Sequence, residues 1–259
     1  MLSSHGHQLW RQVAVTIFYG ELARWWPLVS PVEEYEGEAR EFLRVIVEQR
    51  PHARTALELG SGGGHNAYYF KRHFAMTLSD LSSDMLAVSR QLNPDCEHVL
   101  GDMRTLELGR TFDVVFVHDA IDYMTSETDL AASLETVYRH LAPDGLALVV
   151  PDHVKERYAS ATECGGSDGA DGSALRFLEW SLDVAPSDTT GTVHYSFVLR
   201  EADGSLRCLH EAHPFGLFSQ ATWLQLFERS GFNVELVEER TDDERVPRLM
   251  FLARRNAQR

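Results

Sequence analysis

The chain has 259 residues, of which 44% are apolar and 24% are charged, and its formal net charge is −15 at neutral pH. This composition is typical of a globular protein. The negative charge disfavours nucleic acid and anionic membrane surfaces as partners, because phosphate contacts need clustered lysines and arginines. No apolar run approaches the roughly 18 residues of a transmembrane helix, and no signal-peptide pattern opens the sequence. We therefore expect a cytoplasmic protein, and the odd, widely spaced set of Cys96, Cys164 and Cys208 fits a reducing compartment.

The first part of the chain, up to residue 48, is predicted to be largely helical. Apolar residues recur at helical spacing over residues 8–21 and again over residues 33–48, and Pro27 and Pro31 interrupt the pattern between them. Aromatic residues cluster in and beside this break, and they are Tyr19, Trp25, Trp26 and Tyr35. Such clusters are more often packing than ligand contacts, but a break between two helices favours contact with a ligand.

A glycine-rich turn follows the first apolar run. That run ends at Glu58, and four glycines occupy residues 60–64. This pattern predicts a strand that enters a tight turn, where the backbone approaches a ligand closely. Asp80 lies about twenty positions later, after a second apolar run, where an acid in nucleotide-binding units holds the ribose hydroxyls. The sequence therefore predicts a cofactor that carries a nucleoside.

The glycine spacing discriminates between two kinds of nucleoside cofactor. A dinucleotide site has the pattern Gly-x-Gly-x-x-Gly, in which the third glycine position needs a small residue. Counted from Gly60 and Gly62, that third position is His65, which is bulky. The pattern that fits is acid-x-Gly-x-Gly-x-Gly, formed by Glu58, Gly60, Gly62 and Gly64. It resembles motif I of the class I S-adenosylmethionine (SAM)-dependent methyltransferases. A tight turn without a ligand is the alternative, and the motifs that follow count against it.

The resemblance continues over the first 150 residues. Residues 77–86 look like the end of the family's second strand, and the Gly-Asp-Met run at residues 101–103 looks like the element that places an acid near the adenine amino group. Residues 112–119 and 141–150 are similar to the fourth and fifth strands. The resemblance implies SAM as cofactor, S-adenosylhomocysteine (SAH) as product, and cofactor contacts from Tyr19, Trp25, Tyr35, Glu58, Gly60, Ser61, Gly62, Gly64, Asp80, Leu81, Met85, Asp102, Met103 and His118.

Five apolar runs alternate with helical stretches between residues 54 and 150, which predicts a right-handed parallel sheet. An amphipathic helix over residues 220–230 and two more strands, 232–239 and 246–254, complete the core. In the family the seventh strand is antiparallel and lies between strands five and six. We therefore expect an α/β fold, a doubly wound seven-stranded Rossmann-like sheet, with the N-terminal helices as a lid.

An insertion is predicted after strand 5. A glycine-rich loop spans residues 164–173, period-two alternation follows in three runs, and Asp203-Gly204 is a hairpin signal. This indicates an antiparallel β meander. Similar insertions in glycine and sugar N-methyltransferases cover the acceptor pocket or make the subunit contact of a homodimer. The expected organisation is a lid at 1–50, a SAM-binding core at 51–150, the insertion at 151–218, and the rest of the core at 219–259.

Methyl transfer is a direct displacement, so the protein mainly supplies alignment and a dry cavity. The catalytic candidates are His118 and Asp119 at the end of the fourth strand, His153 after the fifth strand, and His210 in the insertion. His210 is on an apolar face, where a core histidine is more frequent, but it would suit a base if it faced the pocket. Further acceptor-side candidates are Asp122, Tyr123 and His213. The run from His210 to His213 lacks the spacing of a helical zinc motif, so no metal is expected.

These features predict a SAM-dependent methyltransferase that acts on a small-molecule acceptor. An amine nitrogen is favoured, because the run that begins at Glu34-Tyr35 and the insertion resemble sugar-amine dimethyltransferases. Three alternatives remain open: an O-methyltransferase for a natural-product-like hydroxyl, a non-catalytic SAM-binding module, and an NAD-dependent oxidoreductase. Neither nucleic acid nor a membrane is expected as a partner.

Overall fold

The structure is a computed structural model that describes residues 16–241 and 246–256. Eleven strands are present in these residues: β1 Thr55–Leu59, β2 Ala75–Asp80, β3 Glu97–Leu100, β4 Phe112–Val117, β5 Leu141–Val149, β6 Thr162–Gly165, β7 Ala174–Ser181, β8 Thr190–Arg200, β9 Leu206–Gly216, β10 Phe232–Glu238 and β11 Leu249–Arg255. Seven of them form the main sheet, in the order β10-β11-β5-β4-β1-β2-β3. β11 is antiparallel to both of its neighbours. The predicted seven-stranded α/β fold is confirmed.

Helices cover both faces of the main sheet. They are α1 Trp26–Val29, α2 Glu36–Gln49, α3 His65–Phe70, α4 Ser83–Leu92, α5 Glu127–His140 and α6 Gln220–Arg229. None of these described helices is both long and apolar enough to cross a membrane. α5 and α6 pack on one face of the sheet, and α2 and α3 pack on the other.

The central strands are apolar on both faces because both are covered. Leu57 and Val115 point into the cluster under α5 and α6, whereas Ala56 and Phe116 point into the cluster under α2 and α3. All four residues are fully buried. This explains why β1 and β4 are continuous apolar runs in the sequence rather than alternating ones.

The remaining four strands form a second, antiparallel sheet in the order β6-β7-β8-β9. Its inner face packs on the N-terminal segment through one apolar cluster, which includes Phe18, Trp25 and Phe197. Its outer face carries partly exposed apolar side chains, such as Trp180 at 52% and Leu206 at 68%. Both faces of this sheet carry apolar side chains, so the alternation in the sequence does not show which face is buried. The inner face is the one that the N-terminal segment covers.

The N-terminal segment differs from its prediction. Residues 8–15 of the first predicted helix lie outside the described residues, and residues 17–22 form turns that lead into a short 3₁₀-helix, Ala23–Trp25. Pro27 does not interrupt a helix, because it lies in the first turn of α1, where its missing N–H has no helical partner to lose. The second predicted helix is present, but its first turn is the 3₁₀-helix Val32–Tyr35.

Candidate active site

Polar side chains collect at one rim of the main sheet, where the parallel strands end. β1 leads into the glycine turn of residues 60–64, β2 ends at Asp80, β4 is followed by His118, and β5 is followed by residues 151–153. The strand order reverses between β1 and β4. Ligands of open parallel sheets bind in the crevice at such a reversal. The fold therefore favours a binding site at this rim.

The glycine turn has a backbone that other residues adopt only with strain. Gly60, Gly62 and Gly64 have φ angles of 70°, 52° and 75°, in the left-handed region. A Cβ atom added to Gly60 would lie 2.3 Å from Cβ of Ala120 and 2.8 Å from Cε of Met103. The close approach of neighbouring chain to this backbone is therefore the reason that glycine is needed there.

Two buried polar atoms beside the turn have no hydrogen-bond partner. They are Oε2 of Glu58 and Oγ of Ser61, in residues that are 3% and 7% exposed. Burial raises the pKa of Glu58 to about 8. Leaving a buried polar group unpaired costs about 1–3 kcal/mol, and a ligand with ammonium or hydroxyl groups would remove that cost. Glu58, Ser61 and the glycines thus fit the methionine and ribose parts of SAM.

Asp80 lies directly beside this turn. Its Oδ2 accepts a hydrogen bond from the N–H of Gly62 at 2.8 Å, and its Oδ1 accepts one from the N–H of Ser82 at 2.8 Å. Ser82 also caps α4, because its Oγ accepts from the N–H of Met85. Asp80 is therefore fixed in position but is not the helix cap. Each carboxylate oxygen keeps a lone pair that a ribose hydroxyl can use.

The other predicted cofactor residues on this side differ in exposure and in whether their side chains already have partners. Leu81 is 40% exposed at the rim, Met85 is fully buried, and Met103 is 9% exposed beside the glycine turn. The carboxylate of Asp102 is occupied, because Arg104 Nη2 donates to it at 2.5 Å. Met103 and Leu81 can thus contact a ligand directly, whereas Asp102 is already paired.

Aromatic rings from the N-terminal segment cover the turn. The ring of Tyr35 stacks on His65 with centroids 4.8 Å apart, and Nε1 of Trp26 donates to Nδ1 of His65 at 2.9 Å. Burial lowers the pKa of His65 to about 4, so the ring is neutral and can accept this bond. Trp25, which was predicted to contact the cofactor, is 3% exposed and packs in the apolar cluster under the second sheet. Its neighbour Trp26 lies at the turn because adjacent residues point in different directions.

Tyr19 connects the cofactor side to the second sheet. Its hydroxyl accepts a hydrogen bond from the hydroxyl of Tyr123 at 2.8 Å, and that hydroxyl lies 2.9 Å from Nδ1 of His213. Nε2 of His213 lies 3.0 Å from the carboxylate of Glu211. On the other side, Oγ of Ser82 donates to the carbonyl of Tyr19. The predicted candidates Tyr19, Tyr123 and His213 thus form one hydrogen-bonded chain.

His118 and Asp119 form an ion pair after β4. Nε2 of His118 lies 2.8 Å from Oδ1 of Asp119, and Nδ1 lies 3.9 Å from Glu38. Burial lowers the pKa of His118, but the carboxylates of Asp119 and Glu38 outweigh it and raise that pKa to about 9. Burial opposes ionisation of Asp119, but His118 and Arg248 hold the pKa of its carboxyl below the usual value. At neutral pH His118 is therefore a cation and no free base.

Two further carboxylates lie beside this pair. Oδ2 of Asp122 accepts from the N–H of His153 at 2.9 Å, whereas Oδ1 has no partner although the residue is 7% exposed. Asp152 accepts from Nε of Arg248 at 2.8 Å. Burial, with the nearby charges of Asp152 and Asp119, raises the pKa of Asp122 well above its usual value. The imidazole of His153 contacts the rings of Tyr158 and Phe215.

An acid and a tyrosine lie side by side on the inner face of the second sheet. Burial raises the pKa of Glu179 on β7, and the negative charges of Glu163 and Asp152 raise it further, to about 7. Tyr195 is its cross-strand partner on β8. Asp119 and Asp152 keep 42% and 35% of their side-chain surface accessible at the rim of the main sheet.

His210 does not join this group. It is exposed on the outer face of β9, where its Nε2 lies 3.1 Å from Nδ1 of His194. The inner face of the strand carries Glu211 and His213 instead, because successive residues point to opposite sides. The expectation that His210 faces the pocket is therefore corrected, and the histidine on the inner face is the buried His213.

One group of potential metal ligands occurs among the described residues, namely His118, Asp119 and Asp152. Their ligand atoms already have partners, since Asp152 accepts from Arg248 and His118 pairs with Asp119. A metal would have to displace these partners, so this group supports no metal assignment.

Comparisons with known proteins agree with this geometry. Residues 56–145 match the family model described as a methyltransferase domain. The chain is 30% identical over 196 residues to the cypemycin N-terminal methyltransferase of a Streptomyces species, with 71% of this chain and 72% of that protein covered. The chain belongs to the SAM-dependent methyltransferases. The methyltransferase is also 28% identical over 224 residues to the dTDP-3-amino-3,6-dideoxy-alpha-D-glucopyranose N,N-dimethyltransferase of Streptomyces fradiae, covering 85% and 87% of the two chains.

A solved structure shares the fold of this methyltransferase. It is the SAM-bound amino pentose methyltransferase from Micromonospora echinaspora, with a TM-score of 0.70, 24% identity, and coverage of 85% of this chain and 90% of that chain. SAM is the cofactor of the methyltransferase, and the predictions of enzyme class and cofactor are confirmed. The oxidoreductase and the non-catalytic alternatives have no support in these comparisons.

Several residues of the site were missed in the sequence. Arg248 and Glu38 hold the His118–Asp119 pair from opposite ends of the chain, and Glu179 and Tyr195 belong to the second sheet. Arg248 left a signal as a charged residue at the start of an otherwise apolar strand, and Glu38 lies in the run that begins at Glu34-Tyr35. The others lie on half-buried faces whose orientation the sequence does not define.

Proposed function

We propose that the methyltransferase methylates an amine nitrogen of a small-molecule acceptor of the amino-sugar class. SAM, when bound, supplies an electrophilic methyl carbon, which the amine lone pair takes as the carbon–sulfur bond breaks to leave SAH. The observation that carries the proposal is a set of carboxylates, Asp119 and Asp152 at the rim of the main sheet and Glu179 opposite Tyr195 on the second sheet. Carboxylates stabilise an ammonium group and disfavour the negative charge that develops on an attacking hydroxyl oxygen.

The same carboxylates have distinct roles in this proposal. An ammonium must lose a proton before its nitrogen can attack, and a base works best when its pKa is near the working pH. Glu179, with a pKa of about 7, meets this condition. Asp119 stays ionised beside His118 and supplies a fixed negative charge. Asp122 presents Oδ1, the buried oxygen that has no partner, as a further polar contact for the ligand.

The relatives support this choice of acceptor. The Streptomyces fradiae protein is by name a dimethyltransferase of an amino sugar, and the cypemycin enzyme is by name an N-terminal methyltransferase. Both act on amines. We propose in addition that the second sheet covers the acceptor, because its inner face carries Glu179 and Tyr195 towards Asp152. His118 and Asp119 remain proposed catalytic-site residues, and His153 holds Asp122 through its backbone.

The test compares two matched acceptors. The protein is incubated with SAM carrying a labelled methyl group and either a 3-amino-3,6-dideoxy sugar or the same sugar with a hydroxyl at that carbon. Mass spectrometry should show one or two labelled methyl groups on the amine and none on the hydroxyl compound. Labelling of the hydroxyl compound alone would contradict amine transfer and favour the O-methyltransferase alternative.

A further inference from the structure

We infer that Glu211 is a positioning residue for methyl transfer, which fixes the Tyr19 side chain between the glycine turn and the second sheet. The inference goes beyond the proposed function, because it does not depend on which atom of the acceptor takes the methyl group. Glu211 lies on the inner face of β9. Two sets of contacts lead from its carboxylate to Tyr19, one through the backbone and one through side chains.

The backbone contacts are made where the N-terminal segment enters its first described turn. Residues 17–22 form turns, and, as at the start of a helix, the first N–H groups of such a turn point away from it and need another acceptor. Oε1 of Glu211 accepts from the N–H of Ile17 at 2.7 Å, and Oε2 accepts from the N–H of Phe18 at 2.9 Å. A carboxylate offers two acceptor oxygens side by side, so Glu211 caps this turn from 194 positions away in the chain.

Tyr19 is the next residue, and the core holds its main chain from the other side. Its carbonyl accepts a hydrogen bond from Oγ of Ser82, and the N–H of Ser82 donates to the carboxylate of Asp80 at 2.8 Å. Asp80 also accepts from the N–H of Gly62 in the glycine turn. The backbone at Tyr19 is therefore fixed between Glu211 on the second sheet and the carboxylate that fits the ribose.

The side-chain contacts lead from the same carboxylate to the hydroxyl of Tyr19. Oε2 of Glu211 lies 3.0 Å from Nε2 of His213, and Nδ1 of that ring lies 2.9 Å from the hydroxyl of Tyr123. The Tyr123 hydroxyl donates to the Tyr19 oxygen at 2.8 Å. A hydroxyl that accepts this bond keeps its own proton for another partner. Burial raises the pKa of Tyr19, so this hydroxyl is protonated at neutral pH and can donate to a ligand.

The apolar packing of the segment does not depend on Glu211. Phe18 stacks on Phe197 with ring centroids 4.9 Å apart and on Tyr195 with centroids 5.6 Å apart. It belongs to the apolar cluster under the second sheet. A change at Glu211 should therefore leave the segment in place and loosen its turn and the Tyr19 hydroxyl.

A second carboxylate joins the same segment to the second sheet without reaching Tyr19. Glu201, directly after β8, pairs with Nη2 of Arg24 at 2.7 Å, and the arginine side chain is 62% exposed. Exposed ion pairs of this kind contribute little to stability. Glu201→Gln is therefore a matched control for Glu211→Gln, since each change removes one carboxylate that binds the N-terminal segment.

The test follows the Tyr19 ring by fluorine NMR, in full-length protein that carries 3-fluorotyrosine and is saturated with SAH. The Tyr19 signal is the one that is absent from Tyr19→Phe. Glu211→Gln should shift or broaden this signal, because the amide keeps only one acceptor oxygen and turns an NH₂ group towards a backbone N–H. Tyr123→Phe, which leaves the backbone contacts intact, should also move the signal. Glu201→Gln should leave it unchanged.

Turnover of the 3-amino-3,6-dideoxy sugar gives a second readout, which alone rests on the proposed N-methylation. In Glu211→Gln, kcat should fall at least about tenfold, because a misplaced contact group slows the reaction. The SAH affinity of this variant should stay at the wild-type value. In a Tyr19→Phe background, Glu211→Gln should cause little further loss of kcat, since both changes act through one hydroxyl.

An unmoved Tyr19 signal in either Glu211→Gln or Tyr123→Phe would overturn the inference. An equal shift in Glu201→Gln, or fully additive losses of kcat in the double variant, would also overturn it. If Glu211→Gln does not fold, Glu211→Asp takes its place, because it keeps the charge but draws both oxygens back by one methylene, and it should move the signal in the same way. If the wild type does not methylate the amino sugar, the proposed function fails, and the fluorine signal, which needs only SAH, still decides this inference.

Discussion

The proposed cofactor side and the proposed acceptor side of this methyltransferase are built in different ways. The cofactor side consists of short stretches at the ends of neighbouring strands, and its contacts are mostly backbone to side chain, such as Gly62 to Asp80. The acceptor side brings together side chains from α2, β7, β8, β9 and the start of β11. The first is local in sequence and the second is not.

This difference indicates that specificity for the acceptor resides in the second sheet. Glycines at positive φ leave few substitutions open beside the cofactor. The acceptor walls, by contrast, are half-buried faces of a second sheet, and their charges can change while the fold is kept. Changes on the cofactor side should therefore abolish SAM binding, whereas changes on the acceptor side should alter turnover and leave SAM binding intact.

The largest expected effect is on the cofactor side. Gly60→Ala combines a positive φ with a clash of 2.3 Å against Cβ of Ala120, so SAM affinity should fall at least about a hundredfold. Gly204→Ala is the matched control, because Gly204 also has a positive φ, 86°, but no atom lies within 4 Å of an added Cβ. Equal affinity of the Gly60 and Gly204 variants for SAM in isothermal titration would contradict this account.

Glu179→Gln tests the acceptor side. If Glu179 accepts the proton, turnover should fall about a hundredfold. In the wild type, turnover should rise with pH through about 7, because Glu179 is the active base only when it is ionised. The variant should lose this rise, as measured by initial rates of SAH formation. Retention of the same pH profile in Glu179→Gln would assign the proton to another group.

Glu58 should make the stability of the ligand-free protein depend on pH. Burial raises its pKa from 4.5 to about 8 in the folded state, so folding takes up a proton between these values. The stability contribution is complete below pH 4.5 and is lost as the pH rises to about 8. Glu58→Gln should remove this loss, which these two pKa values make about 3–4 kcal/mol between pH 5 and pH 8. The free energy of unfolding of both proteins is measured by urea at pH 5 and pH 8. If the wild type lost no more stability than Glu58→Gln between these pH values, Glu58 would not be a buried neutral carboxyl.

Asp80→Ala should weaken SAM binding at least about tenfold, since a charged acceptor of ribose hydroxyl bonds is removed. Asp84→Ala is a suitable control, because Asp84 is exposed on the first turn of α4. Thermal unfolding of both variants separates affinity from stability. Unchanged SAM affinity in Asp80→Ala would exclude the ribose role.

The smallest effect concerns His210. Its exposed position on the outer face of β9 predicts that His210→Ala changes turnover by no more than about twofold, as for other surface substitutions. A selective loss of turnover in this variant would restore the original expectation that the residue faces the acceptor.

The contrast between the two sides also explains what the sequence predicted. The glycine turn, Asp80 and the strand order follow from local spacing, and the structure shows them as expected. The face of β9 could not be derived, because Leu206 and Ala212 on one face and Leu209 and Phe215 on the other are equally apolar. Which of Trp25 and Trp26 lies at the glycine turn could not be derived either, because it depends on how the N-terminal segment turns.

Arg248 and Glu38 illustrate the same limit over longer distances. They are 210 positions apart in the chain and join only after β11 is inserted beside β5. Glu38 falls in the run that begins at Glu34-Tyr35, but that run does not indicate its partner, and Arg248 belongs to no motif. Their pairing could be derived only from the tertiary fold.

The most direct test is isothermal titration of SAH into the wild type, Gly60→Ala and Glu179→Gln under one set of conditions. We predict equal SAH affinity for the wild type and Glu179→Gln, together with loss of binding in Gly60→Ala. If Glu179→Gln lost SAH affinity as Gly60→Ala does, the cofactor and acceptor sides would not be separate, and the central claim would be wrong.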